Sequence, residues 1–259
     1  MGANDADNEQ ETLARRQQEQ MLKLVTKGFY NELVNYGVAT ADILSIASHL
    51  LDNVMQQTGS PLKTDQHYHR FVNTRTVADA WKDQQRLQVD SVSLTPFRES
   101  HAQEASRWVA QPKVKASFIV PYPEDRDELI RHLIHPSRRY FTIAFEDKPV
   151  GFIGAENIDE TARRLEMRKL VGNSDLRGKG IGKRATFAFL YYVYKILEFE
   201  KVYIHSTDVN IRNLNLNSHF GFQLEGVFLQ EIVRDTKRQD VVRMGLLRSH
   251  WLEIFEPPG

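Results

Sequence analysis

The sequence predicts an α/β chain of the α+β type, in which a mixed central sheet is flanked by helices and preceded by a small helical module. Three observations carry this. Residues 164–197 read in order as strand, glycine-rich loop and helix. β-Rich runs lie on either side of that unit, at Tyr140–Asn157 and Lys201–Thr207. Ahead of all of them, two broad apolar stripes recur at helical spacing before residue 57.

Residues 1–10 are polar and are expected to form a disordered tail. From Glu11 to Tyr36 a helical stripe runs through Met21, Leu22, Leu24, Val25, Phe29, Leu33 and Val34. Gly37 suits the end of that helix, and Thr40 suits the cap of a second one carrying Ile43, Ile46, Leu50 and Val54. Gly59-Ser60-Pro61 breaks it, and Thr76–Leu87 reads as a third helix. Residues 11–88 therefore form a helical module. Its stripes must be covered, either by docking on the rest of the chain or by a second copy in a homodimer.

Residues 89–259 make the second domain, with Gln88–Phe97 as its first strand. Helices follow at Ser100–Val109 and Glu124–Ile134, separated by Pro112, Pro121 and Pro123. Tyr140–Glu146 and Pro149–Asn157 form a hairpin across Asp147-Lys148, and Arg164–Gly172 is the next strand. After the glycine loop, an apolar helix begins at about Ala185 and runs to Leu197. Lys201–Thr207 is a strand. Asp208-Val209-Asn210 caps a short helix, Ile211–Phe220, that Gly221 ends before extended structure resumes at Phe222.

The loop itself, Asp175–Lys183, alternates Gly178, Gly180 and Gly182 with Lys179, Ile181 and Lys183. Glycines leave backbone N–H groups uncovered, and a helix N-terminus behind them adds unpaired donors and the positive end of its dipole. With Arg177, Lys179 and Lys183 this makes a receptor for a phosphate group. A Walker loop is excluded because no Ser or Thr follows Gly182-Lys183. The dinucleotide fingerprint is excluded because Lys183 stands where its third glycine would be.

What does match is Arg/Gln-x-x-Gly-x-Gly/Ala, met by Arg177-Gly178-Lys179-Gly180-Ile181-Gly182. The segment resembles the acyl-coenzyme A pyrophosphate signature of the GNAT acetyltransferases. The branch it resembles holds the ribosomal-protein N-terminal, polyamine and amino-sugar acetyltransferases. Gly151-Phe-Ile-Gly154, Leu165-Glu166, Val209-Asn210, Gly221-Phe222, Leu224-Glu225-Gly226, Asp240-Val241 and Met244 through Trp251 carry the likeness further, over roughly Val89 to Phe255.

The resemblance implies a GNAT fold whose sheet splays at the strand before the loop. It implies acetyl-coenzyme A as acyl donor, held by Leu170, Val171, Gly172, Leu176, Arg177, Gly178, Lys179, Gly180, Ile181, Gly182, Lys183 and Asn210. The expected reaction is direct acetyl transfer to a primary amine in a ternary complex, the amine belonging to a small molecule such as an amino sugar or polyamine. The alternatives are acetylation of a protein N-terminus and non-catalytic binding of acyl-coenzyme A.

Such an amine, with a solution pKa of about 10, must lose a proton before it attacks. Glu166 is the expected base by position, with Glu156 second; backbone donors near Leu170–Gly172 would hold the oxyanion. Many family members place a tyrosine acid seven residues after the asparagine equivalent to Asn210. Here that position is Asn217, which can donate a hydrogen bond but supplies no proton at a useful pKa.

Composition sets the outer limits. Lys+Arg 34 against Asp+Glu 34 gives formal neutrality, which argues against a broad nucleic-acid surface. The absence of cysteine excludes disulfides, thiolate metal sites and a thiol nucleophile. His67 with His69, and His132 with His135, lack further ligands nearby in sequence, so no metal is expected. The polar stretch 1–20 is no secretory signal, and no apolar run is long enough to span a bilayer. A cytoplasmic, non-membrane protein is the expectation.

Overall fold

The computed structural model describes residues 26, 28–31, 33–35, 37–39, 42–43, 67–115, 118–172, 176, 178–207, 216–234 and 236–256. The chain divides into two compact units, Met1–Lys63 and Thr64–Gly259. In the first, residues 28–31 and 33–35 are helical. Gly37 sits at φ 75°, with its N–H on Val34 O (2.9 Å) and that of Val38 on Leu33 O (3.0 Å). This is the paired closure of a helix at a left-handed glycine, as the sequence predicts. The tail, Thr40 and the apolar run 44–57 lie outside the described residues.

The second unit is built on one mixed sheet. Its strands are β1 (Val77–Ala80), β2 (Arg86–Val89), β3 (Val92–Pro96), β4 (Arg139–Phe145), β5 (Lys148–Asp159), β6 (Arg164–Val171), β7 (Lys201–Thr207), β8 (Gln223–Arg234) and β9 (Lys237–Leu247). Their order is β1-β2-β3-β4-β5-β6-β7-β9-β8. Among the described residues, β6 with β7 is parallel and the other neighbouring pairs are antiparallel. The four main helices are α1 (Ala102–Val109), α2 (Arg126–Leu133), α3 (Ile181–Tyr191) and α4 (Arg248–Phe255).

Local chemistry accounts for the element ends. Asp125 caps α2 by accepting from the N–H groups of Asp127 (3.0 Å) and Glu128 (2.9 Å). The β4–β5 hairpin closes through Glu146 and Asp147, both left-handed at φ 50° and 60°. Two such residues give the turn whose twist matches the strands. The turn is one residue earlier than the sequence suggests, and Lys148 already belongs to β5.

Strand alternation sorts the apolar residues onto two faces. On one, Leu94, Ile143, Ile153, Leu165 and Met167 meet Phe187, Phe189, Trp251 and Phe255 from α3 and α4. On the other, Tyr140, Phe152 and Leu170 meet Ala105 and Val109 from α1, Leu129 and Leu133 from α2, and Tyr122. α3 starts at Ile181, earlier than Ala185, because Gly180 caps it at φ 74° and brings Ile181–Lys183 into its first turn. It continues into a π-type turn, Tyr192–Ile196.

Two expectations need correction. Thr76–Leu87 is no helix: it forms β1, a single turn Trp81–Gln84, and the start of β2. Asp79 accepts from the Trp81 N–H (2.9 Å) and Gln85 turns left-handed at φ 50°, which stops the helix after one turn. β1 and β2 fall within the second unit, Thr64–Gly259. Gln88–Phe97 is not one strand but the end of β2, a turn at Asp90-Ser91, and β3. The extended structure expected to resume at Phe222 is a long hairpin, β8 with β9, whose strands the sequence did not delimit. β8 forms the sheet edge, exposes Leu224, Leu229 and Val233, and shifts register where Gln230 turns to φ 52°.

Gly154 faces the ring of Tyr140, and an added Cβ would come within 2.4 Å of it. Gly154→Ala should therefore displace Tyr140 and cost about 1–3 kcal/mol, read by thermal unfolding. Unchanged stability would show that the ring has room to move.

Candidate active site

β6 and β7 pair for only three residues each, Arg164–Glu166 with Lys201–Tyr203, and then part. No described strand takes the place beside Met167–Val171 on that edge. On its other edge β6 pairs with β5 up to Gly151↔Val171, and Gly172 donates to Val150 O (2.8 Å). Backbone groups alternate in direction along an antiparallel strand. Glu166, Arg168 and Leu170 therefore turn their backbone groups toward β5. Met167, Lys169 and Val171 turn theirs into the opening.

Of Leu170, Val171 and Gly172, then, Val171 has its N–H on the open side, while that of Gly172 is already engaged. An added Cβ at Gly172 would lie 2.1 Å from the Trp108 ring, so the indole covers the strand end closely.

The opening widens into a cleft of about 500 Å³. Its wall includes Glu156, Glu166, Lys169, His205, Ser206 and Asn217. The three residues expected to act in catalysis, Glu166, Glu156 and Asn217, thus meet in one space.

Glu156 is heavily engaged. Tyr140 donates its hydroxyl to Oε1 at 2.5 Å, His132 Nε2 lies 2.7 Å from the same oxygen, and Arg168 donates to Oε2 at 3.0 Å. Burial alone would raise this carboxyl. The His132 hydrogen bond and the Arg168 charge outweigh it and hold the group at about 2. A carboxylate so stabilised is a poor proton acceptor.

Arg168 is fixed in turn. It donates to Val120 O, and its guanidinium lies over Tyr122 at 4.2 Å and Phe118 at 5.3 Å. Tyr122 and Tyr140 share a hydroxyl contact at 3.0 Å, and burial raises both phenols.

Glu166 has fewer partners. It accepts from Asn157 Nδ2 (2.7 Å) and lies 3.1 Å from His205 Nδ1. A carboxylate holding an imidazole is a common pairing for proton transfer. Sequence reasoning missed His205, His132, Arg168 and Lys169. Lys169 Nζ meets Thr186 Oγ1 (2.5 Å) and Gly182 O (3.3 Å), and burial lowers its ammonium to about 8. For Arg168, Lys169 and His205 the available signal was a charged or titratable side chain at a strand position beside an apolar residue; His132, on α2, is weighed from sequence only as a metal ligand.

The glycine loop has the shape an anion receptor needs. Leu176 accepts from the Lys179 N–H (3.4 Å), Gly178 turns at φ 85°, and nothing within 4 Å stands where its Cβ would be. Ile181, Gly182 and Lys183 present the first turn of α3. These residues fit a coenzyme pyrophosphate. Lys183 differs from expectation, since its ammonium rests over the rings of Tyr68 (4.6 Å) and Phe71 (4.4 Å). Arg184 is tied to Asp90 (2.7 Å), and the Lys179 ammonium lies over the Phe145 ring at 5.7 Å. Arg177 and Asn210 lie outside the described residues. Among the described residues no group of His, Asp or Glu has metal-site geometry, and no helix is long and apolar enough to cross a membrane.

Comparison with known proteins gives a consistent result. Residues 91–223 match the model of the acetyltransferase (GNAT) domain. The spermidine N(1)-acetyltransferase of Escherichia coli K12 is 25% identical over 177 residues, covering 65% of this chain and 92% of that one. The Vibrio cholerae enzyme of the same name is 27% identical over 143 residues, covering 54% and 82%. The crystal structure of Vibrio cholerae spermidine N-acetyltransferase with CoA and spermine shares the fold at TM-score 0.59 and 23% identity, over 63% of this chain and 99% of that one. A GCN5-related N-acetyltransferase from Brucella melitensis gives 0.58 at 18% identity, over 67% and 83%.

Replacing Glu156 leaves Arg168 charged and without its partner in a buried place. Glu156→Gln should therefore lose about 3 kcal/mol of stability by chemical denaturation. The native carboxyl is depressed, so its contribution is complete above pH 4.5 and is lost as pH falls toward 2. The variant should lack that acid-dependent loss, and an identical acid limb in both proteins would contradict the network.

Proposed function

The chain belongs to the GNAT acetyltransferase family, and from that premise we propose that it moves acetyl from acetyl-coenzyme A to the primary amine of a small molecule. The observation that carries the reading is the unpaired β6 edge beside the glycine loop. Together they suit an amide-bearing arm and a pyrophosphate from one ligand. The β6 backbone from Met167 to Val171 takes the arm, and the Val171 N–H is a candidate oxyanion donor. Leu176–Lys183 takes the phosphates, with Arg177 and Asn210 assigned there by the family signature alone.

Glu166, with His205 behind it, accepts the proton of the attacking amine. Glu156 keeps a structural duty, because its depressed pKa removes it from proton transfer at neutral pH. Asn217 serves as a hydrogen-bonding wall residue.

Acceptor choice follows from charge. Arg138, Arg168 and Lys169 stand in the cleft wall against Glu156 and Glu166, and both carboxylates are already paired. A polycation gains little there, so an amino sugar with a neutral or anionic body is the better match. The relatives' names favour the second reading, a polyamine. Release of free coenzyme A measured with spermidine, a simple amino sugar and a nucleotide-linked amino sugar separates the two. Faster turnover of spermidine would overturn the preference.

Two substitutions test the residue roles. Glu166→Gln should lower kcat at least tenfold while coenzyme affinity stays within threefold; full activity between pH 6 and 9 would remove it from the mechanism. Gly180 needs its left-handed backbone, at φ 74°. Gly180→Val should therefore weaken coenzyme binding at least tenfold by calorimetry, and unchanged affinity would sink the loop assignment.

A further inference from the structure

Lys169 is the most unusual group that the preceding reading leaves without a task. It sits on β6, on the unpaired edge itself, and is one of the residues of the cleft wall, as are Asn217 and Ser206. An ammonium has three N–H donors. Two are spent, on Thr186 Oγ1 (2.5 Å) and Gly182 O (3.3 Å). Thr186 gives its own hydrogen to Gly182 O (2.8 Å), so its lone pair is free to accept from the lysine. The third N–H has no acceptor among the described residues.

No described carboxylate pairs with this cation, and burial is the whole cause of its depressed pKa. The charged groups on the facing turn of α3 point elsewhere. Lys183 lies over Tyr68 and Phe71, and Arg184 is bound to Asp90. The cleft wall also holds the uncharged Ser206 and Asn217 and the titratable or charged His132, Arg138, Glu156, Glu166, Arg168 and His205, none of which is bonded to the Lys169 ammonium. A buried, uncompensated ammonium is costly to keep. One that is held by two hydrogen bonds at a cleft wall is placed to meet a developing negative charge.

We propose that Lys169 is the acid that serves the departing thiolate, in the role that Asn217 cannot fill. The proposal rests on the acetyl-coenzyme A reading above. In the step, the acceptor nitrogen forms its bond to the thioester carbonyl carbon, and the C–S bond breaks with its electron pair on sulfur. The Lys169 ammonium gives that sulfur a proton. The proton lost by the amine passes to Glu166 and its imidazole neighbour, and solvent returns one to Lys169. A lysine whose ammonium titrates at about 8 is half available as a donor near that pH, unlike an ordinary lysine near 10.5.

The test is a thiolate absorbance titration of coenzyme A bound to the full chain, which needs no acceptor. In the wild type the bound thiol should titrate below the free thiol, because a cation faces it. In Lys169→Met, which keeps the volume and removes the charge, it should titrate at least one unit higher than in the wild type. Coenzyme affinity within threefold of wild type shows that the variant is folded. Turnover should fall about a hundredfold, and the decline of kcat above about pH 8 should disappear.

Identical thiol titrations in the two proteins would overturn the proposal. So would weakened coenzyme binding with unchanged kcat at saturation, which makes the lysine a phosphate anchor. If Lys169→Met does not fold, Thr186→Val, which removes one of the ammonium's two acceptors, must move the same titration. Failure of the wild type to bind coenzyme A would overturn the functional reading itself, a result distinct from either.

Discussion

The short pairing between β6 and β7 governs the molecule. Three residues on each strand hold the sheet together at that point, and beyond Glu166 and Tyr203 the two strands diverge. A strand edge deprived of its neighbour exposes N–H and C=O groups that are costly to leave unsatisfied. This sheet leaves them at the one place where the glycine loop and the start of α3 lie next in sequence. The elements on either face stabilise the split. α3 and α4 cover one side and α1 with α2 the other, so the sheet can open at its centre without losing either core.

The polar cluster on the α1–α2 face does a different job. Glu156, Arg168, His132, Tyr140 and Tyr122 come from β5, β6, α2, β4 and the loop before α2. Each polar atom in the Glu156–Arg168 contact has a partner, and removing one would expose the other's full desolvation cost. The cluster ties the helical layer to the strands that frame the cleft. It therefore braces one wall of the cleft while leaving Glu166 and His205 less constrained.

What could be read from the sequence was what depends on neighbours along the chain. The glycine loop, α3, β7 and the turn at Gly37 each carry their signal within a dozen residues; β7 and the Gly37 turn lie where expected, whereas α3 begins earlier, at Ile181, inside the stretch read as loop. The Glu156 cluster was invisible because its members are spread from Tyr122 to Arg168 and meet only through strand register. Lys169 was equally hidden, since nothing local says that an inward strand lysine will find Thr186 rather than a carboxylate. β1 and β2 were misread because Trp81–Gln84 and its flanks carry a helix-like spacing. An aspartate acceptor and one left-handed residue override it. The coenzyme roles given to Arg177 and Asn210 rest on motif alone.

The bulge in β8 has a consequence for the protein at high concentration. That strand is twelve residues long, closes the sheet, and shows Leu224, Leu229 and Val233 to solvent. Left straight, it would offer a template on which strands of other molecules could add and grow into insoluble ribbons. Gln230 interrupts it by turning left-handed and giving its N–H to Asp240 (2.7 Å), inside the same hairpin. An approaching strand then meets a broken ladder instead of a continuous one. A single internally satisfied amide thus guards against fibrous aggregation along this edge of the sheet.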